Sequence, residues 1–179
     1  MDTIFNVPKR EEVSPANQQI FDGIKAAFGK VPNLYATMAY SENALGAYIN
    51  LQNAPTSLTA REKEVINLVV SQVNGCIYCL SAHTVIAKHN GFSEAEILEI
   101  RAAAITFDEK LSILAKLTQN ITKMRGNIDA SLLDSFFKAG YTKENLVDII
   151  ILIGDKSITN ILHAITKVPI DFPIATALK

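Results

Sequence analysis

Two cysteines and a histidine stand close together near the middle of the chain and could act together chemically. Cys76 and Cys79 are the two cysteines of the sequence, and His83 follows four residues after Cys79. At 100° per residue, the three side chains fall within about 60° of one another on one face of a helix. The spacing therefore allows two thiols and an imidazole to share one site.

Each of the two thiols has a reason to be acidic. Cys76 stands at the expected start of its helix, where free amide groups and the helix dipole favour a thiolate. Cys79 stands one helical turn before His83, which can accept its proton. The first argument favours Cys76 as the nucleophile and the second favours Cys79, so the residues by themselves leave both open.

The spacing of the cysteines also suits a redox cycle. Residues three apart in a helix have their α-carbons about 5–6 Å apart, which a disulfide accepts. A disulfide closing so short a loop is strained, and strained disulfides are readily reduced. One thiolate could be oxidised to a sulfenic acid that condenses with the second thiol. The pattern therefore predicts thiol peroxidase chemistry.

Three other interpretations of the same residues remain open. The two thiols, the imidazole and the Glu64 carboxylate are a possible zinc ligand set, although structural zinc sites more often use two separated ligand pairs. The cysteines could instead be buried as small hydrophobic residues in a structural interaction domain. A third possibility is a dithiol reductase that acts on disulfides and reacts poorly with peroxide.

Helix signals recur along the whole sequence. Ser14-Pro15 and two capping boxes, Thr59 to Glu62 and Ser93 to Glu96, mark helix starts, and Gly91 marks a helix end. We find no sustained period-two alternation typical of strands. The expected helices are 15–28, 33–53 with a possible break near 41, 60–74, 76–90, 94–103, 108–125, 129–139 and 142–167. The sequence therefore predicts an all-α fold, organised as one domain over residues 1–179.

Composition excludes several classes of protein. The chain has 179 residues, 49% of them hydrophobic, and 17 Lys and Arg residues against 18 Asp and Glu residues. This balance is not that of a protein that binds nucleic acid or an anionic membrane surface. The longest strictly apolar run, residues 149–153, is far shorter than the roughly 20 residues of a membrane span. The N-terminus does not resemble a secretory signal, so we expect a soluble, cytoplasmic protein.

The last expected helix is apolar on nearly every face between residues 146 and 165. Such a helix is expected to be covered on all sides, either by a subunit interface or as the central helix of the core. Asp148 and Asp155 lie on this helix and could pair across an interface. Glu64 lies on a polar stripe of another helix, and the spacing does not distinguish a solvent-exposed face from the wall of a polar pocket. From this stripe alone we expect a solvent-exposed carboxylate.

Glu64, Cys76, Cys79 and His83 stand as E-x11-C-x-x-C-x3-H within the run EKEVINLVVSQVNGCIYCLSAH. This pattern resembles the alkylhydroperoxidase D branch of the carboxymuconolactone decarboxylase superfamily. The motif-bearing match covers about residues 59–105. The resemblance implies a compact multi-helix bundle and a homo-oligomer, commonly a trimer or hexamer.

The resemblance also implies a role for each residue of the motif. Cys79 would attack the hydroperoxide, Cys76 would be the resolving thiol, His83 the base, and Glu64 the group that completes the proton relay. The better-studied relatives carry a second histidine between the cysteines, where this chain has Tyr78. The implied activity is that of a thiol-dependent peroxidase without a cofactor, reduced by an unidentified thiol or lipoyl-bearing electron donor.

Overall fold

A computed structural model describes residues 5–178. Residues 1–4 and 179 lie outside the described residues. The prediction about a secretory signal concerns the N-terminus and so falls partly on residues 1–4. The described residues form α-helices and one short 3-10 helix, Arg10–Glu12, and contain no strand. The prediction of an all-α fold is confirmed. The helices are α1 (Pro15–Phe28), α2 (Asn33–Met38), α3 (Ala44–Gln52), α4 (Ala60–Val73), α5 (Ile77–His89), α6 (Glu94–Ala102), α7 (Glu109–Met124), α8 (Ala130–Lys138) and α9 (Lys143–Thr166).

Local capping chemistry sets most of these boundaries. Both predicted capping boxes form: the amide of Glu62 donates to Thr59 Oγ1 at 3.2 Å while Glu62 Oε2 accepts from the amide of Thr59 at 2.9 Å. The Ser93 box has the same reciprocal bonds. These bonds satisfy amide groups that the first helical turn leaves without partners. The predicted break near residue 41 separates α2 from α3.

The chain divides into two compact units. Of the described residues, 5–55 and 161–171 form the first unit, and 56–160 and 172–178 form the second. The first unit contains α1, α2 and α3 around a small core that includes Phe21, Leu45 and Tyr48. No linker in the sequence predicts this division.

The second unit is built around α4. Val65, Ile66, Leu68, Val69 and Val70 of this helix are fully buried, and α4 packs against α5, α6 and α7. Because α4 is enclosed on several sides, polar residues along it are also held inside the protein. The second unit contains all four residues of the predicted redox motif.

α9 turns its polar residues inward and its apolar residues outward. Its buried residues include a polar group, Asp155, Lys156, Thr159 and Asn160. Six apolar residues on its outer face each expose between 46% and 68% of their surface: Val147, Ile150, Ile151, Ile158, Ile161 and Ile165. The alternative of a central core helix is therefore wrong for the single chain, because that helix would bury these side chains.

α9 is also the one helix, among the residues described, that is long and apolar enough to cross a membrane by length and composition. This is weak evidence for a membrane span, because core helices of soluble proteins meet the same criterion. The buried charged and polar residues of α9 instead fit a helix packed within a folded unit.

Asp148 has its partners within its own chain. Its Oδ2 accepts hydrogen bonds from the amide and the hydroxyl of Ser57, both at 2.6 Å, and from the hydroxyl of Thr56 at 3.1 Å. These bonds hold the pKa of Asp148 below its ordinary value. The carboxylate thus anchors the segment that leads into α4, which corrects the suggestion that Asp148 pairs across an interface.

Candidate active site

The cysteine pair lies at the junction between α4 and α5. Gly75 has a φ of 67°, and this left-handed conformation lets the chain turn between the two helices. The amide of Cys76 then donates to the carbonyl of Ser71 at 2.9 Å. Cys76 caps α5, with its sulfur accepting a hydrogen bond from the amide of Cys79 at 3.3 Å. Both cysteines are reduced and buried.

The surroundings of the two sulfurs make them unequal in acidity. A hydrogen bond with Cys76 lowers the pKa of Cys79 from 9.0 to about 7, against the opposing effect of burial. The same hydrogen bond and burial raise the pKa of Cys76. Cys79 is therefore the sulfur that loses its proton first, and Cys76 keeps its own.

Glu64 and His83 form a second buried pair. Glu64 Oε2 and His83 Nδ1 are 2.8 Å apart, with 7% and 11% of the two side chains exposed. Asn67 Nδ2 donates to the other carboxylate oxygen at 2.9 Å. Burial raises the pKa of Glu64, but the interactions with His83, Asn67 and Lys156 outweigh it and hold the pKa below its ordinary value. The expectation of a solvent-exposed Glu64 is wrong, because α4 is enclosed by its neighbours.

The described contacts form two pairs, Cys76 with Cys79 and Glu64 with His83, and α5 connects them because Cys79 and His83 lie one helical turn apart on it. Within residues 5–178, no hydrogen bond joins a ring nitrogen of His83 to either sulfur. The carboxylate occupies Nδ1 of His83, which leaves Nε2 as the nitrogen that could exchange a proton with a substrate. No group of three or more His, Cys, Asp or Glu side chains in this part of the chain is arranged to hold a metal ion.

Three residues of α9 complete the site and were missed in the sequence analysis. Lys156, Thr159 and Asn160 each help to lower the pKa of Cys79. Asn160 accepts a hydrogen bond from Asn74 Nδ2 at 2.9 Å and donates to Ser71 Oγ at 3.4 Å. A signal for them was present in the sequence, because they are polar residues at i, i+3 and i+4 within an otherwise apolar helix.

Tyr78 lies between the two cysteines in the sequence. It is buried and packs edge-on against the ring of Phe172, with the ring centroids 5.6 Å apart. Aromatic pairs of this geometry contribute to packing. Tyr78 therefore helps to hold residue 172 against α5.

Several solved structures have the same fold. An uncharacterized peroxidase-related protein from Silicibacter sp. TM1040 superposes with a TM-score of 0.79 at 21% identity, over 92% of this chain and 90% of the other. An uncharacterized peroxidase-related protein from Ralstonia eutropha JMP134, described as an alkylhydroperoxidase AhpD core, superposes with a TM-score of 0.81 at 18% identity. The superposition covers 90% of this chain and 88% of the other. The debrominase Bmp8 in complex with 2,3,4-tribromopyrrole superposes with a TM-score of 0.79 at 18% identity, over 95% of this chain and 94% of the other.

The sequence itself matches a family model. Residues 36–116 match the Carboxymuconolactone decarboxylase family, and this segment includes all four residues of the redox motif. No curated protein matches the sequence. Residues 36–116 are therefore similar to the Carboxymuconolactone decarboxylase family, and the described residues share the all-helical fold of the solved alkylhydroperoxidase D-like protein.

Proposed function

We propose that this protein is a thiol-dependent peroxidase that reduces alkyl hydroperoxides or hydrogen peroxide through a Cys76–Cys79 disulfide cycle. The observation that carries the proposal is the unequal thiol pair, in which the pKa of Cys79 is lowered to about 7 while that of Cys76 is raised. A thiolate is the form of cysteine that attacks a peroxide. Similarity to the Carboxymuconolactone decarboxylase family, and a fold shared with peroxidase-related proteins, support this proposal.

The cycle balances with these two thiols and one external dithiol. The Cys79 thiolate attacks the terminal peroxide oxygen, so that an S–O bond forms, the O–O bond breaks and an alkoxide leaves. The alkoxide takes up a proton and becomes an alcohol. Cys76 then attacks the Cys79 sulfenic acid, which releases water and forms the disulfide. An external dithiol returns two electrons and two protons.

The Glu64–His83 pair is assigned to proton transfer in this cycle. The carboxylate fixes the ring through Nδ1 and stabilises it when it is protonated, so that Nε2 can deliver a proton to the leaving alkoxide. Since the described part of the chain contains no direct hydrogen bond between His83 and the sulfurs, we assign this transfer to the substrate oxygen. Positioned acid–base groups typically accelerate such steps by about 10²–10⁴-fold.

Free-thiol counting after anaerobic mixing tests the proposal. The reduced protein is mixed with an alkyl hydroperoxide, with a small disulfide, or with 2,3,4-tribromopyrrole, the ligand of the debrominase relative. We expect two thiols per chain to be lost fastest with the hydroperoxide. Faster loss with the disulfide would instead identify a dithiol reductase, and faster loss with the bromopyrrole a dehalogenase. No loss at millimolar peroxide would contradict the peroxidase assignment.

The thiol cycle also suggests a cellular setting. It requires an electron donor, and we propose a thiol or lipoyl-bearing partner. A reducing compartment such as the cytoplasm keeps such a pair reduced between turnovers, so we propose that the protein acts there.

We also propose that the outer face of α9 binds a second copy of the chain. Val147, Ile151, Gly154, Ile158, Ile161 and Ile165 of this face follow a 4-3-4-3-4 spacing, which is typical of a seam between two helices. A Cβ added at Gly154 would meet open space, so this position leaves room for close approach of a second helix. An apolar face of this extent is unusual on a monomer and can be self-complementary.

Ile158→Glu is expected to weaken this assembly. The variant places a charge in the middle of the apolar seam, where burial without a partner is unfavourable. Light scattering coupled to size-exclusion chromatography should show a larger fraction of monomer, with an unchanged helical circular dichroism spectrum. Ile86→Glu on α5, where the isoleucine is similarly exposed, is the matched control and should leave the mass unchanged. A wild-type protein that is already monomeric would contradict the proposed assembly.

A further inference from the structure

Lys156 is almost completely buried, which is rare for a lysine. It exposes 2% of its surface, and its chain neighbour Asp155 exposes 3%. Lysine side chains are seldom buried unless they are paired, because removing an ammonium from water is unfavourable. A lysine retained in this environment calls for a partner that its charge stabilises.

Asp155 alone is a poor partner for Lys156. The Nζ atom of Lys156 and the Oδ2 atom of Asp155 are 3.9 Å apart, which is too long for a hydrogen bond. The other carboxylate oxygen, Oδ1, is buried without a hydrogen-bond partner in the described part of the chain. The pair therefore does not by itself account for the burial of two charged side chains.

The position of Lys156 on α9 places it beside the cysteine pair. Asn160 follows one helical turn after Lys156 on the same face. Asn160 is bonded to Asn74 and Ser71 at the end of α4, and the carbonyl of Ser71 accepts the amide hydrogen of Cys76. The buried face of α9 is thus fixed against the start of α5, where the thiols lie.

We propose that Lys156 is a positioning residue of this thiol site, whose positive charge stabilises the Cys79 thiolate before it reacts. The use of this thiolate in catalysis rests on the proposed function. The ionisation of Cys79 itself can be measured without any substrate. In agreement with the proposed role, Lys156 contributes to lowering the pKa values of both Cys79 and Glu64.

The ionisable groups of the predicted motif and of the buried face of α9 come from three elements. Cys76 and His83 belong to α5 and its cap, Glu64 comes from α4, and Asp155 and Lys156 come from α9. Because the pKa of Glu64 is lowered, a Cys79 thiolate would add a further negative charge to a buried region that already holds this carboxylate. Lys156 is the lysine in this group, so its loss should raise the free energy of the thiolate.

Titration of the thiolate by its ultraviolet absorbance tests the role of Lys156. In the wild-type protein, we expect the first ionisation to have a midpoint near pH 7, following the lowered pKa of Cys79. In Lys156→Met the midpoint should rise, and the thiolate fraction at pH 7 should fall about tenfold or more. Lys156→Arg should keep the wild-type midpoint. Lys143→Met, at an exposed position of the same helix, is the control and should also keep it.

A second variant leaves Lys156 in place and guards against misfolding of Lys156→Met. Asp155→Asn removes the negative charge next to Lys156. The net electrostatic potential at Cys79 therefore becomes more positive. The midpoint should therefore fall below that of the wild-type protein. An unchanged midpoint in a folded Lys156→Met protein would overturn the inference. If Lys156→Met does not fold, an Asp155→Asn midpoint that does not fall would overturn it. Because no peroxide is used, failure of the peroxidase assignment would leave this result unaffected.

Discussion

Cys79→Ser is expected to abolish the reaction with hydroperoxide completely. A serine hydroxyl does not form the anion that attacks the O–O bond near neutral pH, so the one remaining thiol should not be consumed. The measurement is the number of free thiols remaining after the reduced variant is mixed anaerobically with excess alkyl hydroperoxide. The remaining cysteine, Cys76, should stay reduced, because burial still disfavours its thiolate after the interaction with Cys79 is lost.

Cys76→Ser is the matched control for this experiment. It keeps Cys79 and places a hydroxyl where the Cys76 thiol donates its hydrogen bond. The first step should still occur, but the sulfenic acid cannot resolve and should accumulate, where a dimedone probe can trap it. If Cys76→Ser were unreactive while Cys79→Ser still lost its thiol, the roles of the two cysteines would be reversed.

Glu64→Ala is expected to reduce both stability and activity strongly. The carboxylate is the partner of His83 at 2.8 Å and of Asn67 at 2.9 Å, and all three side chains are buried. Removing the carboxylate leaves two buried hydrogen-bonding groups without a partner, which typically costs about 1–3 kcal/mol for each group. Urea unfolding should show a loss of about this size. The hydroperoxide rate should fall about a hundredfold, because His83 loses the group that orients it.

The pH dependence separates the charge of Glu64 from its hydrogen bonds. Since the pKa of Glu64 is lowered in the folded protein, its ionisation contributes stability above the ordinary value of 4.5, and this contribution is lost as the pH falls through the folded pKa. Glu64→Gln retains a carbonyl acceptor but lacks the charge. The stability difference between the wild type and Glu64→Gln should therefore shrink below about pH 4.5. A difference that does not change with pH would contradict an ionised Glu64.

Local sequence signals were sufficient to predict the helices. The reciprocal bonds of the Thr59 and Ser93 capping boxes involve residues three apart, so the sequence contains everything needed to recognise them. The same is true of Cys76 at the start of α5 and of His83 one turn after Cys79. These features depend on the geometry of a single helix, and the structure shows them as expected.

Features that depend on packing were not predictable in this way. A polar stripe on a helix does not reveal whether it meets water or another helix, and Glu64 was therefore expected on the surface. Lys156 and Asn160 were missed because they reach the site only through contacts between distant segments; Asn74 and Asn160 are 86 residues apart in the chain. The apolar composition of α9 likewise did not indicate that its polar residues would be the buried ones.

The most direct test of the account is identification of the bond formed when the reduced wild-type protein meets one equivalent of alkyl hydroperoxide. Peptide mapping by mass spectrometry at successive times gives the fraction of chains that carry a Cys76–Cys79 disulfide. If the Cys76–Cys79 disulfide cycle reduces the hydroperoxide, this fraction rises as fast as the hydroperoxide is converted to its alcohol, and one disulfide forms for each peroxide reduced. Conversion of the peroxide while both cysteines remain as free thiols would contradict it.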